Sequence, residues 1–376
     1  MSKRLILALV MIVVLVSGLV AVGCAPPAPA PPAPAPPAPA PPAPAPPTPA
    51  PPAPAPAEVT TWRIQSYNVA GDKYYENAAA CMDTIERMTD GRLVFDFYSS
   101  GALVPACAEN EAVNDGTIEA ADTSNWCNTD MFLSAGLLFQ MVGGLSGPQM
   151  AWWYQVGDGT ELANELYAPL ENVQFIVQWT QDLPEVWGHF QDPIYGPNDL
   201  KGLKFRAFGD AGEILNLMGC ATVYFPGGEL YECAARGVVD AFEYSTAILS
   251  IELAFWEVCN YMYLSPSRAP TDDSALFVNI DEWNALTPDI QEIIREAGYA
   301  QAFRFFGEAV QKEAPAIEWI KAQGVVIEPM PRSVDEALFE AAELFYSARD
   351  EADPMHKKIR DSQIAFKAMC EEQGVY

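Results

Sequence analysis

Histidine is nearly missing from this chain of 376 residues, which holds only His189 and His356. No Cys-x-x-Cys pair occurs either. A zinc site built from His and Cys therefore has too few donors at workable spacing. There is no Gly-x-Ser-x-Gly elbow and no Gly-rich loop ending in Gly-Lys-Ser/Thr, so the usual hydrolase and nucleotide-binding signatures are absent. An enzyme would need a nucleophile beside His189 or His356, and neither sits in such a motif. Basic residues are scarce as well. Twenty-one Lys and Arg stand against 50 Asp and Glu, a formal net charge of -29. Such a surface repels nucleic acid and excludes it as a partner. From Leu93 to Leu200 there is no lysine or arginine at all. After the first turns of the chain, no apolar run is long enough to span a bilayer.

What is present begins with an address. Lys3 and Arg4 precede an apolar run from Leu5 to Val22, closed by Ala21-Val22-Gly23-Cys24. A basic start, an apolar stretch and small residues before a cysteine read as a lipoprotein signal peptide over 1–23, with Cys24 as the lipidation site. The competing reading is a plain transmembrane anchor, for which the run is near the lower length limit. A Pro/Ala tract then runs to Ala57. Proline fixes φ and lacks a donor, so residues 24–57 predict a polyproline II linker rather than a helix or strand. Fully extended, Pro26 to Pro56 reach roughly 95 Å. The remainder is expected to lie outside the cytoplasmic membrane and to be lipid-anchored to it. Seven cysteines follow Cys24. Export permits disulfides, and Cys107 with Cys127 is one conceivable pair, but spacing alone assigns none.

From Glu58 on, strand and helix patterns alternate. Val59–Ser66, Leu93–Phe97, Val173–Trp179 and Leu203–Phe208 read as strands. Asp72–Met88, Asp210–Met218 and Glu229–Arg236 read as helices, and 146–167 as two helices broken near Gly157-Asp158-Gly159. Residues 289–321 read as one long helix or two, with Pro315 the candidate break. Residues 334–367 read as helical with an interruption near Pro354. This predicts an α/β fold with mostly parallel sheets, arranged as two lobes about a central cleft.

Arg206 stands out in this acidic chain. It ends the run Asp199-Leu-Lys-Gly-Leu-Lys-Phe-Arg206 on an apolar strand, where an unpaired charge costs several kcal/mol. Its planar fork suits either a ligand carboxylate or an internal acidic partner. The segments around it resemble the solute receptors of TRAP (tripartite ATP-independent periplasmic) transporters. The matching pieces are the Leu-Lys-Gly-Leu-Lys-x-Arg strand, Gly228-Glu-Leu-Tyr-Glu-Cys-Ala-Ala-Arg-Gly-Val-Val-Asp-Ala-Phe-Glu243, Gly91-Arg-Leu with Gly101-Ala-Leu-Val-Pro105, and Val113-Asn-Asp-Gly116. Cys233 and Ala241 depart from the family pattern but remain small. The order also argues against an ABC-type binding lipoprotein.

The resemblance implies a hinged, periplasmic-binding-protein-like fold that closes on a small organic acid and delivers it to a membrane permease. It is nearest the 2-oxoacid and lactate branch, where a cation bridges ligand and protein. Carried over, Arg206 pairs with the ligand carboxylate. Glu185, Glu243, Tyr244 and Asp272 become cation ligands, with Glu185 standing where the family has a glutamine. So much carboxylate favours Ca²⁺, with Na⁺ the alternative. Tyr67, Asn125, Trp126 and Tyr244 join Arg206 and Glu185 around the acid. Arg268 lies in a cleft loop, where it either binds a second acidic group or, the favoured reading, sits at the surface. Lobe I is expected over 58–183 with about 270–310, lobe II over 184–269 with about 311–349, and a helical extension over 350–376. Ile359, Phe366 and Cys370 share one face of that extension, which covers either a second copy in a homodimer or the protein's own body.

Overall fold

The computed structural model describes residues 59–375. The segment read as a signal peptide, Cys24 and the Pro/Ala tract lie outside the described residues. Two mixed sheets carry the architecture. The first contains β1 (Thr60–Ser66), β2 (Leu93–Tyr98), β3 (Ala120–Thr123), β4 (Val173–Gln181) and β10 (Asp273–Asn279), in the order β2-β1-β3-β10-β4. The second contains β5 (Val186–Phe190), β6 (Lys204–Arg206), β7 (Ala221–Val223), β8 (Ala241–Phe242), β9 (Tyr261–Leu264) and β11 (Val326–Pro329), in the order β11-β9-β5-β8-β6-β7. Five of the nine strand pairings are parallel, in line with the expectation, and the other four all involve β5 or β10. β10 runs antiparallel to β3 and β4, and β5 runs antiparallel to β8 and β9. These strands belong to crossings that carry the chain from one sheet to the other, and a return crossing must run against its neighbours.

The crossings build the floor of the cleft. β4 passes into β5 through residues 182–185, and β9 passes into β10 through residues 265–272. The two segments pair with each other on the way, Asp182 N–H to the Asp272 carbonyl (2.9 Å) and Glu185 N–H to the Ala269 carbonyl (3.0 Å). β4 is buried along nearly its whole length although its sequence carries Gln174, Gln178, Thr180 and Gln181, and buried side chains among them are hydrogen-bonded, Gln178 to Asp273 and Thr180 to Asn77.

The helix Lys73–Met88 starts where Asp72 accepts from Tyr74 N–H (2.8 Å), a side-chain N-cap. Its buried face is Tyr74, Asn77, Ala78, Cys81, Met82 and Ile85, the spacing of an amphipathic helix. The segment read as one or two helices is a single helix, Pro288–Ala322, which continues through Pro315. Pro315 sits on the solvent side, where water can take the carbonyl that loses its N–H partner. Helices Arg332–Ala352 and Pro354–Glu372 meet at Asp353, which caps the second. In the second, Ile359 and Cys370 are buried and Phe366 packs against the main core. Gln363 donates to the Leu137 carbonyl (2.7 Å), and Trp153 Nε1 donates to Ser362 (3.0 Å). That face covers the protein's own body. Cys107 and Cys127 form a disulfide.

Candidate functional site

Arg206 is the last residue of β6, which lies between β7 and β8 and runs parallel to both. Glu243 follows the last residue of β8. Parallel neighbours end together, so both residues emerge at the carboxyl ends of adjacent strands, where open α/β sheets bind ligands. Arg206 is 3% exposed and Glu243 1%. Arg206 Nη1 donates to Glu243 Oε1 (2.8 Å) and to the Glu243 carbonyl (2.9 Å), and Nε donates to the Phe225 carbonyl (3.0 Å). The rings of Phe208, Tyr224 and Tyr244 stand 5.4–5.5 Å from the guanidinium carbon, within cation–π range. Nη2 has no protein acceptor among the described residues. The two readings of Arg206 thus coexist: part of the fork holds an internal carboxylate, and part is left for something else.

Arg268 corrects the surface reading. It lies on the β9–β10 crossing and is 2% exposed. Its Nη2 donates to Glu185 Oε2 (2.6 Å) and the Val186 carbonyl (3.0 Å), and Nε donates to the Trp187 carbonyl (3.0 Å). Its Nη1 lies 3.5 Å from Glu243 Oε2. Glu185 also accepts from Gln140 Nε2 (2.9 Å). Glu185 is therefore no loose loop carboxylate. Burial raises the Glu243 carboxyl; Arg206 and Arg268 pull it down, and the adjoining Glu185 pushes it up again.

A second buried group sits beside this one. Tyr74 Oη lies 2.7 Å from both Asp182 Oδ2 and Asp272 Oδ2. One hydroxyl proton cannot serve two carboxylates, so one carboxyl brings its own. Burial and the charge of Glu185 hold Asp272 well above the usual carboxylate range, which makes Asp272 the protonated partner. Lys73 Nζ balances Asp182 at 2.5 Å.

These side chains face a cavity of about 140 Å³. Tyr67, Trp126, Glu185, Arg206, Glu243, Tyr244 and Asp272 all line it. Asn125 does not, which corrects its assignment. It is fully buried, accepts from Tyr167 Oη (2.8 Å) and donates to Tyr154 Oη (3.4 Å), so its amide is used inside lobe packing. Trp126 meets Tyr67 edge-on at 6.2 Å and Phe208 at 5.1 Å. Phe208 and Tyr224 also line the cavity and were not singled out in the sequence. Their signal was adjacency to Arg206 and to the Val-Tyr-Phe-Pro segment. Burial pushes the Tyr244 hydroxyl up to about 12, so it remains a neutral donor.

The four residues assigned to a cation fit one in charge but not in arrangement. Glu185 and Glu243 are turned onto guanidinium groups, and Asp272 is turned onto Tyr74. Among the described residues no three His, Cys, Asp or Glu side chains converge as a metal cluster.

An α/β cleft with a buried arginine at its strand ends and aromatic walls is that of a binding protein for a small anion. The chain belongs to the family of bacterial extracellular solute-binding proteins, family 7, whose model matches residues 65–351. It is a TRAP-type solute receptor, and proteins of this kind are binding components of transporters rather than enzymes. A curated relative from Nostoc sp., a monocarboxylate 2-oxoacid-binding periplasmic protein, is 24% identical over 75% of this chain and 77% of its own length. A TRAP solute-binding protein from Bordetella bronchiseptica, a mixed-occupancy dimer with copurified calcium and picolinate, has a TM-score of 0.76 at 23% identity, over 84% of this chain and 94% of that one. One from Pseudoalteromonas atlantica with bound sodium and pyruvate has a TM-score of 0.78 at 21% identity, over 84% and 96%. These likenesses establish the two-lobed fold.

Proposed function

We propose that the chain is a lipid-anchored receptor that captures a small monocarboxylate, a 2-oxo or 2-hydroxy acid, and delivers it to a TRAP permease in the membrane. The observation that carries this reading is Arg206: a buried guanidinium at the cavity wall, with Nη1 and Nε fixed by the protein and Nη2 unclaimed. A carboxylate entering the cavity meets a charged donor already aimed and already desolvated, so little is lost on ordering it. Tyr67, Trp126 and Tyr244 supply apolar walls for the rest of the acid, and the Tyr244 hydroxyl is a neutral donor for its 2-oxygen. Carboxylate oxygens of Glu185 and Glu243 are held by arginines, so they do not repel the ligand as bare charges would.

Closure is a movement of lobe I (58–183 with about 270–310) against lobe II (184–269 with about 311–349) about the paired crossings. Tyr67 and Trp126 then approach Arg206 from the opposite side. Cys24 holds the receptor to the membrane, and the Pro/Ala linker gives it reach to dock on the permease while raising its local concentration there. A homodimer through the extension over 350–376 would use the apolar residues left outside, Ile364 and Met369.

Isothermal titration with pyruvate tests the acid-binding role. Arg206→Ala should weaken binding at least about 30-fold, since losing one partner of a desolvated charge pair costs about 2–5 kcal/mol. Unchanged affinity would sink the assignment.

A further inference from the structure

The solved relatives hold calcium or sodium beside the acid. In this chain the space between Glu185 and Glu243, two of the four expected cation ligands, is taken by a side chain. Glu185 and Glu243 adjoin one another at the cavity, and the guanidinium of Arg268 reaches both, at 2.6 and 3.5 Å. We propose that Arg268 is a built-in counter-charge that takes the place of the cation, so that this receptor binds its acid without a metal ion.

Three observations carry it. Arg268 is fixed: Nε and Nη2 are held by the Trp187 and Val186 carbonyls as well as by Glu185, so it cannot swing aside without leaving several buried partners unmet. The charge is balanced: two glutamates face two arginines, Arg206 pairing with Glu243 and Arg268 with Glu185 and Glu243. A divalent ion added to this set would sit against two guanidinium groups in a region of low polarity, where like charges repel strongly. The donors are occupied: among the described residues no three carboxylates converge on one point. Arg268 also follows from the chain's composition. Glu185 sits at the start of the buried strand β5, and between Leu93 and Leu200 no basic residue is available to neutralise it. The counter-charge has to come from elsewhere in the chain, and the returning crossing brings it.

The acid arm of the test rests on the receptor function proposed above, and the metal arm does not. Wild-type protein is exchanged into sodium-free potassium buffer with a chelator and titrated with pyruvate. In parallel, chelator-free protein is titrated with calcium alone, then with sodium alone. The expected results are pyruvate affinity within twofold with or without calcium and sodium, and no stoichiometric uptake of either ion. One-to-one calcium or sodium binding, or pyruvate binding that appears only with an added ion, overturns the proposal. If no acid binds under any condition, the receptor reading falls and the ion titrations alone decide the role of Arg268. Arg268→Met adds a second readout: its pyruvate affinity in chelator should drop at least tenfold and be partly restored by calcium. Wild-type affinity for this variant in chelator would also overturn it.

Discussion

The floor of the cleft carries two buried acidic groups that solve the same problem differently. Around Arg206 and Arg268, each carboxylate faces a guanidinium. A few residues away, Asp182 and Asp272 share the hydroxyl of Tyr74, and only Asp182 has a cation, Lys73. The first group is neutralised by fixed charge and keeps an arginine donor for an anion. The second is neutralised by a proton, so it answers to pH and lies where the two crossings and the helix Lys73–Met88 meet. Charge pairing builds the binding wall, and proton sharing closes the joint beneath it.

Removing a partner from the paired group should have the largest effect on stability. Glu243→Ala strips Arg206 of its carboxylate and weakens the surroundings of Arg268. Breaking a buried pair from one side costs about 3–5 kcal/mol, readable as a lowered urea midpoint with unchanged slope. A loss under about 1 kcal/mol would mean that water already reaches the group and that the comparison is false.

The proton-sharing group should respond more mildly to Tyr74→Phe. The hydroxyl between Asp182 and Asp272 disappears, at about 1–3 kcal/mol for a buried acceptor left unsatisfied. A loss under about 0.5 kcal/mol would mean that the hydroxyl is not the donor the two carboxyls share.

The smallest change per step, read as a slope rather than a single loss, is the pH dependence. Asp273 follows Asp272 and is fully buried, accepting from Ser124 (3.1 Å) and Gln178 (2.5 Å). Burial raises its carboxyl to about 7. The folded chain then keeps a proton that the unfolded chain has released, from about pH 4 to about 7. Stability contributed by this group is therefore greatest at the acid end and is lost as pH rises through that window, by at most about 1.4 kcal/mol per pH unit. Above pH 7 its contribution is flat. Denaturation midpoints at pH 5, 6 and 7 should show this slope, and Asp273→Asn should make it shallower, the remainder belonging to the other carboxyls that burial raises, among them Asp122, Asp210 and Glu109. An unaltered slope in the variant would place the titration elsewhere.

Much of this was legible before any coordinates. Arg206 was, because it is set between apolar Phe205 and Ala207 on a strand, where a cation demands a partner. The alternation of elements was, because helices such as Lys73–Met88 and Arg332–Ala352 have a clear apolar face. The antiparallel strands were not, because β5 and β10 are buried on both faces and carry no mark of direction. Arg268 was hidden for a local reason. It is flanked by Ser-Pro-Ser and Ala-Pro, which reads as an exposed turn, and its burial comes from the crossing that folds over it. Its signal lay in counting cations: downstream of Lys204, before the long helix, only Arg206, Arg236 and Arg268 are available to meet the buried glutamates. Asn125 failed in the opposite sense. It sits beside Trp126 in a segment that looks like cleft lining, but Tyr154 and Tyr167 claim its amide from the core side.

The central claim is that a carboxylate is read by Arg206, and its most direct test leaves the protein unaltered. Pyruvate and its methyl ester differ by one charge and a methyl group. Titrated side by side by calorimetry, pyruvate should bind one-to-one and the ester at least about 30-fold more weakly, as expected when a desolvated charge pair is lost. An ester that binds as tightly as the acid would contradict the account.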